Sequence, residues 1–301
     1  GLYWKLKKNS PFHLTTNVYP VPDLNVPFLG IHFTPGSAPQ ESISIGPTAI
    51  PAFGRENYNG LKGLDPAMLI NNLLLLSKQY LLNKGGFRKY VNERLIPLEK
   101  EVAENDEVPE DIKHEMAEMG LFGLTVPEEY GGIGLTTEEE VCVSMELGRA
   151  SPAFRSVFGT NVGIGSQAIV IDGTKEQKLR YLPKIASGEY VTSFALTEPE
   201  AGSDAANLQS TARLEGNEYV LNGRKRYITN APWADVLTVM ARTNPDISGH
   251  GGISSFIVER TSAGLSFGKP EKKMGQHGAH VCDVIFENCR VPAKNLIGGI
   301  E

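Results

Sequence analysis

Helical and strand-like periodicities occupy separate stretches of this chain. Apolar residues recur at helical spacing over 66–83, 87–104 (with Pro97 as an interruption), 109–119, Thr137–Leu147, 162–172 and Lys175–Ala186. After Tyr190 the texture becomes short β-type runs, at 191–197, 208–215, 218–222, 224–229, Val236–Arg242, 255–259 and 281–291. Asn222-Gly223, between two of these runs, reads as a hairpin turn. Residues 1 to about 60 are rich in Pro and Gly, with β-type runs at 28–34 and 42–46. Helices and strands kept apart in this way predict an α+β arrangement or separate domains, not a doubly wound sheet.

Bulk properties narrow the function classes. With 301 residues, 41% hydrophobic and 21% charged, the composition is that of an ordinary soluble protein of about two domains. A net charge of −6 argues against nucleic acid or an anionic membrane as the main partner. Three cysteines without a C-x-x-C pair point to a reducing compartment, with Cys282 and Cys289 as packing residues. No His or Cys cluster has metal-ligand spacing. No signal peptide is recognisable, and the most apolar segment, 69–82, is broken by Asn71, Asn72, Lys78 and Gln79, as in an amphipathic helix. The chain opens on Gly1 and stops at Glu301 directly after Gly-Gly-Ile, which reads as a fragment.

Two stretches carry the chemistry. Residues 193–204, SFALTEPEAGSD, start as a strand and then break their pattern with two acids, a proline and a Gly-Ser pair. A plain hairpin needs only two to five turn residues. Backbone N–H groups at Gly202 and Ser203, with the Ser203 hydroxyl, can satisfy a phosphate or a ring carbonyl, and Thr197 can bond a polar ring edge. The alternative is a capped turn before another strand. In residues 222–230, NGRKRYITN, Tyr227 and Thr229 stand two apart and so share a strand face. An aromatic beside a hydroxyl suits a flat heterocycle, although the three basic residues Arg224, Lys225 and Arg226 equally fit a surface strand. Together, the two stretches present Phe194, Thr197, Tyr227 and Thr229 to one ring system. The Gly-rich 159–165 lacks G-x-G-x-x-G spacing and reads as helix–helix close packing. His114 reads as solvated, and His277 and His280 as loop residues.

From about Glu93 to Glu301 the chain resembles the acyl-CoA dehydrogenase family. The resemblance rests on GLFG at 120–123, PEEYGG at 127–132, GTNVG at 159–163 and LPKIASG at 182–188. Its most specific motifs are LTEPEAGSD at 196–204, LNGRKRYITN at 221–230 and FENCRVP at 286–292. It implies an N-terminal helical domain (91–190) followed by an antiparallel β-barrel-like middle domain (191–301). It further implies FAD lined by Phe194, Leu196, Thr197, Gly202 and Ser203 on one side and by Tyr227, Ile228 and Thr229 on the other, where relatives often carry Trp in place of Tyr227. Ser203 would also meet the acyl-CoA substrate. The implied reaction is α,β-desaturation of an acyl-CoA thioester, with reoxidation by an electron-transfer flavoprotein. The family's catalytic glutamate lies in a C-terminal helical domain beyond Glu301, so no residue here is assigned as the base, and the chain as given is expected to be inactive. At 274–280, MGQHGAH, many relatives carry an Arg and a Ser or Thr.

Residues 1 to about 90 resemble a different family, the FAD-dependent 2-hydroxyglutarate oxidases, through YPVPD at 19–23, PFLGIHFT at 27–34, IGPTA at 45–49 and FGRE at 53–56. Only a fragment of that family's substrate domain is present, with the join expected near 89–94. The alternatives are therefore a 2-hydroxy-acid oxidoreductase with an appended module, or a flavin- or CoA-binding remnant without catalysis. The implied setting is the bacterial cytoplasm or the mitochondrial matrix, with a homo-oligomer at full length.

Overall fold

Caps and turn residues set most of the helix boundaries. The computed structural model describes residues 86–299 and, before them, three strands: β1 (Leu2–Lys5), β2 (His32–Thr34) and β3 (Ser44–Thr48). The expected helix at 66–83 and the motifs at 19–23 and 53–56 lie outside the described residues. The chain divides into two compact units. The first takes residues 1–97 and 142–150. In it β3 pairs antiparallel with both β1 and β2. Helix α1 (Phe87–Tyr90) runs into a wide turn at Val91–Leu95, whose Val91 and Leu95 are buried. The nearly buried Glu146 pairs with Arg149 at 3.2 Å and Arg88 at 3.8 Å.

The second unit takes 98–141 and 151–301. Its helices are α2 (Glu99–Asn105), α3 (Glu110–Glu118), the start of α4 (Thr137–Leu147), α5 (Pro152–Val162), α6 (Gln167–Asp172) and α7 (Lys175–Ala186). Glu110 and Asp111 occupy the first turn of α3, where acids suit the helix dipole, and Gly120 follows it at φ 74°. Thr174 and Gln177 close a reciprocal capping box on α7. Of the helix expected over 162–172, only Gln167–Asp172 (α6) is helical beyond Val162, and the helix before it, α5, is not among those expected. α5 ends at Val162 and α6 starts at Gln167, and Gly165 occupies the gap so close to β4 that a Cβ would stand 2.2 Å from the Thr192 hydroxyl. The Gly-rich stretch thus packs on a strand rather than on a helix.

After Tyr190 come β4 (Thr192–Ala195), β5 (Thr211–Glu215), β6 (Glu218–Thr229), β7 (Val236–Arg242), β8 (Ile253–Glu259), β9 (Leu265–Phe267) and β10 (Val281–Pro292). They form one seven-stranded sheet in the order β4-β7-β5-β6-β10-β9, with β8 on β7. The sheet is mixed, not purely antiparallel: β4 runs parallel to β7, and β5 touches β7 in parallel through Thr211 and Arg242. It curls on itself, because Ser193 on β4 donates to the Thr229 carbonyl at 2.7 Å although two strands separate β4 from β6 in the sheet order. Inside the curl lie Leu237, Val239, Phe256, Val258, Ile228, Val284 and Val291, together with the two buried thiols Cys282 and Cys289.

Asn222-Gly223 is not a turn. β6 runs through it unbroken, and the β5–β6 hairpin closes at Gly216-Asn217, with Gly216 at φ 62°. Gly223 instead sits at φ 147°, where a Cβ would stand 2.2 Å from the Ser210 hydroxyl, so close approach of another backbone explains the glycine. α7 covers the outer face of the curl: Tyr181, Leu182 and Ile185 pack with Val236 and Ile257. Gln177 reaches the Lys294 and Leu296 carbonyls at 2.8 and 2.7 Å, and Tyr181 donates to Glu259 at 2.7 Å.

Candidate functional site

The loop after β4 is held from inside. Lys225 on β6 is fully buried, and its ammonium donates to Glu198 Oε1 at 2.6 Å and to the Leu196 carbonyl at 3.2 Å. Glu198 is also buried; it accepts the backbone N–H of Gln209 at 2.5 Å and that of Ser210 at 3.0 Å. Glu198 and Ala201 bond each other's backbones at 3.0 and 3.2 Å, closing a tight turn over Pro199 and Glu200. The first acid of the loop is therefore an anchor. Burial pulls its carboxyl pKa up, but hydrogen bonds from Lys225, Ser210 and Gln209 outweigh this and hold it below the usual carboxylate range.

The facing strand carries a bulge. Cys282 and Val284 of β10 pair with Ile228 and Lys225 of β6, so one extra residue is inserted on β6 at Arg226-Tyr227. Tyr227 takes φ 57°, an unusual conformation for an aromatic residue, and is 59% exposed. Arg226 donates its backbone N–H to the Thr197 carbonyl at 2.7 Å, which joins bulge to loop. Expected alternation along 225–229 is thus broken, yet Tyr227 and Thr229 both lie off the core, because Ile228 between them is buried in it.

The structure brings the two sequence stretches together. Phe194, Leu196, Thr197 and Thr229 are half-buried, and Gly202, Ser203 and Tyr227 are exposed. A Cβ at Gly202 would meet nothing within 4 Å. The hydroxyls of Thr197, Ser203, Tyr227 and Thr229 have no hydrogen-bond partner among the described residues. Ile228 differs: with its side chain in the core, it has only backbone to offer a ring.

Beside this shelf, directly after Thr229, Asn230 marks the edge of a cleft of about 610 Å³ that the sequence did not reveal. Its floor is apolar (Phe122, Val157, Val191), and its walls are α3 and the residues Trp233 and His280. The Trp233 indole donates to His280 Nδ1 at 3.2 Å, and His280 Nε2 lies 3.5 Å from Asp106. Asp106 accepts the Gly278 N–H at 2.6 Å, and this bond, followed by the nearby His280, His277 and Lys273, holds its carboxyl below the usual range against the pull of burial. His280 is thus built into a loop, whereas His277 and His114 are exposed. A tryptophan standing half-exposed after the YITN motif was the one signal of this cleft. Among the described residues no group of three or more His, Cys, Asp and Glu could hold a metal, and no helix is long and apolar enough to cross a membrane.

Two family models match in tandem: the N-terminal domain of acyl-CoA dehydrogenase over residues 82–189 and its middle domain over 193–289. Residues 82–289 belong to the acyl-CoA dehydrogenase family. Among its relatives, an acyl-CoA dehydrogenase of Bacillus subtilis is 36% identical over 223 residues, which cover 74% of this chain and 59% of the relative. The NADH-dependent acryloyl-CoA reductase of Anaerotignum propionicum is 42% identical over 226 residues, 74% of this chain and 57% of its own. The crystal structure of an acyl-CoA dehydrogenase complexed with FAD from Bacillus anthracis superposes with a TM-score of 0.65 at 39% identity, covering 74% of this chain and 38% of that one. The chain thus spans less than two thirds of the length of the relatives it matches. In the family frame, the curled sheet is the middle domain and the helices from α2 to α7 fall within the N-terminal domain.

Proposed function

We propose that this chain carries the ring-binding part of a flavin-dependent acyl-CoA oxidoreductase, with FAD seated on the shelf between the loop 196–203 and the bulge at Tyr227. The observation that carries this reading is the bulge itself. It holds an aromatic ring out to solvent at φ 57°, opposite a loop whose hydroxyls are free and whose glycine is open. A chain keeps an exposed aromatic in a sparsely populated conformation where something is to lie against it. These residues fit a flavin: Tyr227 offers a face, Thr197 and Thr229 offer hydroxyls to a polar ring edge, and Gly202 and Ser203 offer backbone N–H groups to phosphate. When bound, FAD supplies the two-electron partner for the Cα–Cβ bond of an acyl-CoA thioester. Relatives named for dehydrogenation and for reduction both match, so the reading covers either direction.

Glu198 is not the proton acceptor in this proposal, because both its oxygens are committed to Lys225 and to backbone N–H groups. The base, the electron-transfer flavoprotein as redox partner, homo-oligomerisation and a cytoplasmic or mitochondrial-matrix location follow from the family resemblance and complete the proposal, as does the domain division at 91–190 and 191–301. The 2-hydroxyglutarate oxidase reading concerns residues 1–90 and keeps only its motifs as support.

Titrating the purified chain with FAD tests the proposal. Saturable quenching of flavin fluorescence is expected, weakened at least tenfold by Thr197→Ala or Tyr227→Ala. A folded chain that leaves free FAD fluorescence unchanged would overturn it. With FAD bound, adding octanoyl-CoA and 2-hydroxyglutarate separately tells the acyl-CoA reading from the hydroxy-acid one by which shifts the flavin spectrum.

A further inference from the structure

An ion pair with no water around it is costly. Removing two charges from water is repaid only by close geometry and by hydrogen bonds to every remaining oxygen and proton, and hydrophobic residues of the same volume are often as stable. Lys225 and Glu198 nevertheless pair inside this protein, at 0% and 5% exposure, on segments that flank the shelf rather than on the shelf itself. Their bonds show what the pair achieves. Thr197 has its preceding carbonyl, on Leu196, held by Lys225; its own carbonyl held by Arg226; and its following residue, Glu198, held by Lys225 and two backbone N–H groups. The Thr197 side chain is left free. Lys225 is also the last regular residue of β6 before the bulge that turns Tyr227 outward.

We propose that Lys225 and Glu198 are positioning residues: one buried ion pair fixes Thr197 and Tyr227 relative to each other, so that both walls of the shelf are set as a unit. The pair touches no ring and takes no part in proton transfer. The proposal rests on the flavin reading for what the shelf holds, but the coupling of the two walls belongs to the protein alone. Burial draws the Lys225 ammonium pKa down, with Glu198 opposing this, whereas hydrogen bonds from Lys225, Ser210 and Gln209 hold the Glu198 carboxyl below its usual range against the pull of burial.

Peptide-resolved amide hydrogen exchange on the chain without added flavin tests the coupling directly. In Lys225→Met, in Glu198→Gln and in the double variant, exchange is expected to accelerate at least tenfold in 196–204 and 226–229 together, while β7 and β8 keep their protection. Glu198→Gln keeps the side-chain shape and a carbonyl acceptor for one backbone N–H, so it remains readable if Lys225→Met fails to fold. Acceleration in one segment alone, in neither, or uniformly through β7 and β8, would overturn the proposal. A second readout follows with FAD. Lys225→Met and Thr197→Ala should each weaken binding about tenfold, and the double variant no more than either single one, the non-additivity expected of residues acting as a unit. Fully additive losses would overturn the positioning role. Should the wild-type chain bind no flavin, the functional reading falls, and the exchange experiment still decides the coupling.

Discussion

Asn161 of α5 accepts both the backbone N–H and the hydroxyl of Thr192 on β4, at 2.9 and 3.1 Å, through a single amide oxygen. Its amide nitrogen donates to the carbonyls of Ile185 and Tyr190 at 3.0 and 2.6 Å. One fully buried side chain therefore ties the end of α7, the connecting segment and the first strand of the curled sheet together. Asn161→Ala would leave the two Thr192 donors and the Tyr190 carbonyl without that partner, each costing about 1–3 kcal/mol where water cannot relax in, while the Ile185 carbonyl keeps the Gly188 N–H. A loss of about 2–4 kcal/mol in unfolding free energy is expected. Urea denaturation checks this, and a midpoint within error of wild type would show that the joint does not depend on Asn161.

Two glycines separate folding from binding. At Gly223 the backbone has φ 147° and a Cβ would stand 2.2 Å from the Ser210 hydroxyl, so Gly223→Ala is strained in conformation and in space. At Gly202 a Cβ would meet nothing within 4 Å, so Gly202→Ala should leave the thermal midpoint unchanged. If backbone N–H groups at 202 and 203 cradle a phosphate of FAD, the Gly202 methyl group intrudes only when the ligand is present. The expected result is a destabilised Gly223→Ala chain that still shows some flavin quenching, and a stable Gly202→Ala chain with flavin affinity reduced severalfold. Differential scanning fluorimetry beside a flavin titration reads both.

Tyr227 gives the reverse test. Because it is 59% exposed, truncating it should change stability by less than about 0.5 kcal/mol. Tyr227→Phe and Tyr227→Trp keep a flat face for a ring and should retain flavin binding, whereas Tyr227→Ala should lose at least tenfold. Equal affinity for the Ala and Phe variants would show that nothing stacks there.

The legible parts of this chain are those written in local signals. Thr137–Leu147, Lys175–Ala186 and Val236–Arg242 emerge with the bounds their periodicity predicts, because apolar spacing and end residues agree there. α5 announced itself only through Ser151-Pro152, a capping hydroxyl followed by a proline at the first helical position, a signal that periodicity alone passes over. Asn222-Gly223 misleads for a physical reason. The dipeptide has the chemistry of a turn, but long-range pairing with β10 and the approach of Ser210 give its glycine a different task. At the candidate site, residue types were readable while roles were not. Nothing local distinguishes the buried Lys225 from its exposed neighbour Arg224, because which face of β6 turns inward is set by its pairing with β10, and the bulge after Lys225 is what lets Tyr227 face outward despite standing two residues on. The Trp233 cleft was hidden for a similar reason, since α3 meets it from more than a hundred residues away and His280 from 47.

The two core thiols give a prediction against pH. Burial pushes Cys289 up to about 11, and burial, reinforced by the charge of Asp283, pushes Cys282 up to about 11 as well. An unfolded thiol ionises near about 8.5. Below that value both states keep their protons and these cysteines contribute no pH dependence. Between about 8.5 and 11 the unfolded chain releases protons that the folded chain retains, so stability falls as pH rises, by at most about 2.7 kcal/mol per pH unit for two groups. Urea midpoints from pH 8 to pH 10.5 should therefore decline, and a chain carrying Cys282→Ala and Cys289→Ala should decline less over the same range. In parallel, a thiol reagent at pH 8 should leave both cysteines unmodified until urea is added, since each is fully buried on the same strand. Rapid labelling of either one in the folded chain would mean that β10 opens locally, which its place between β6 and β9 argues against.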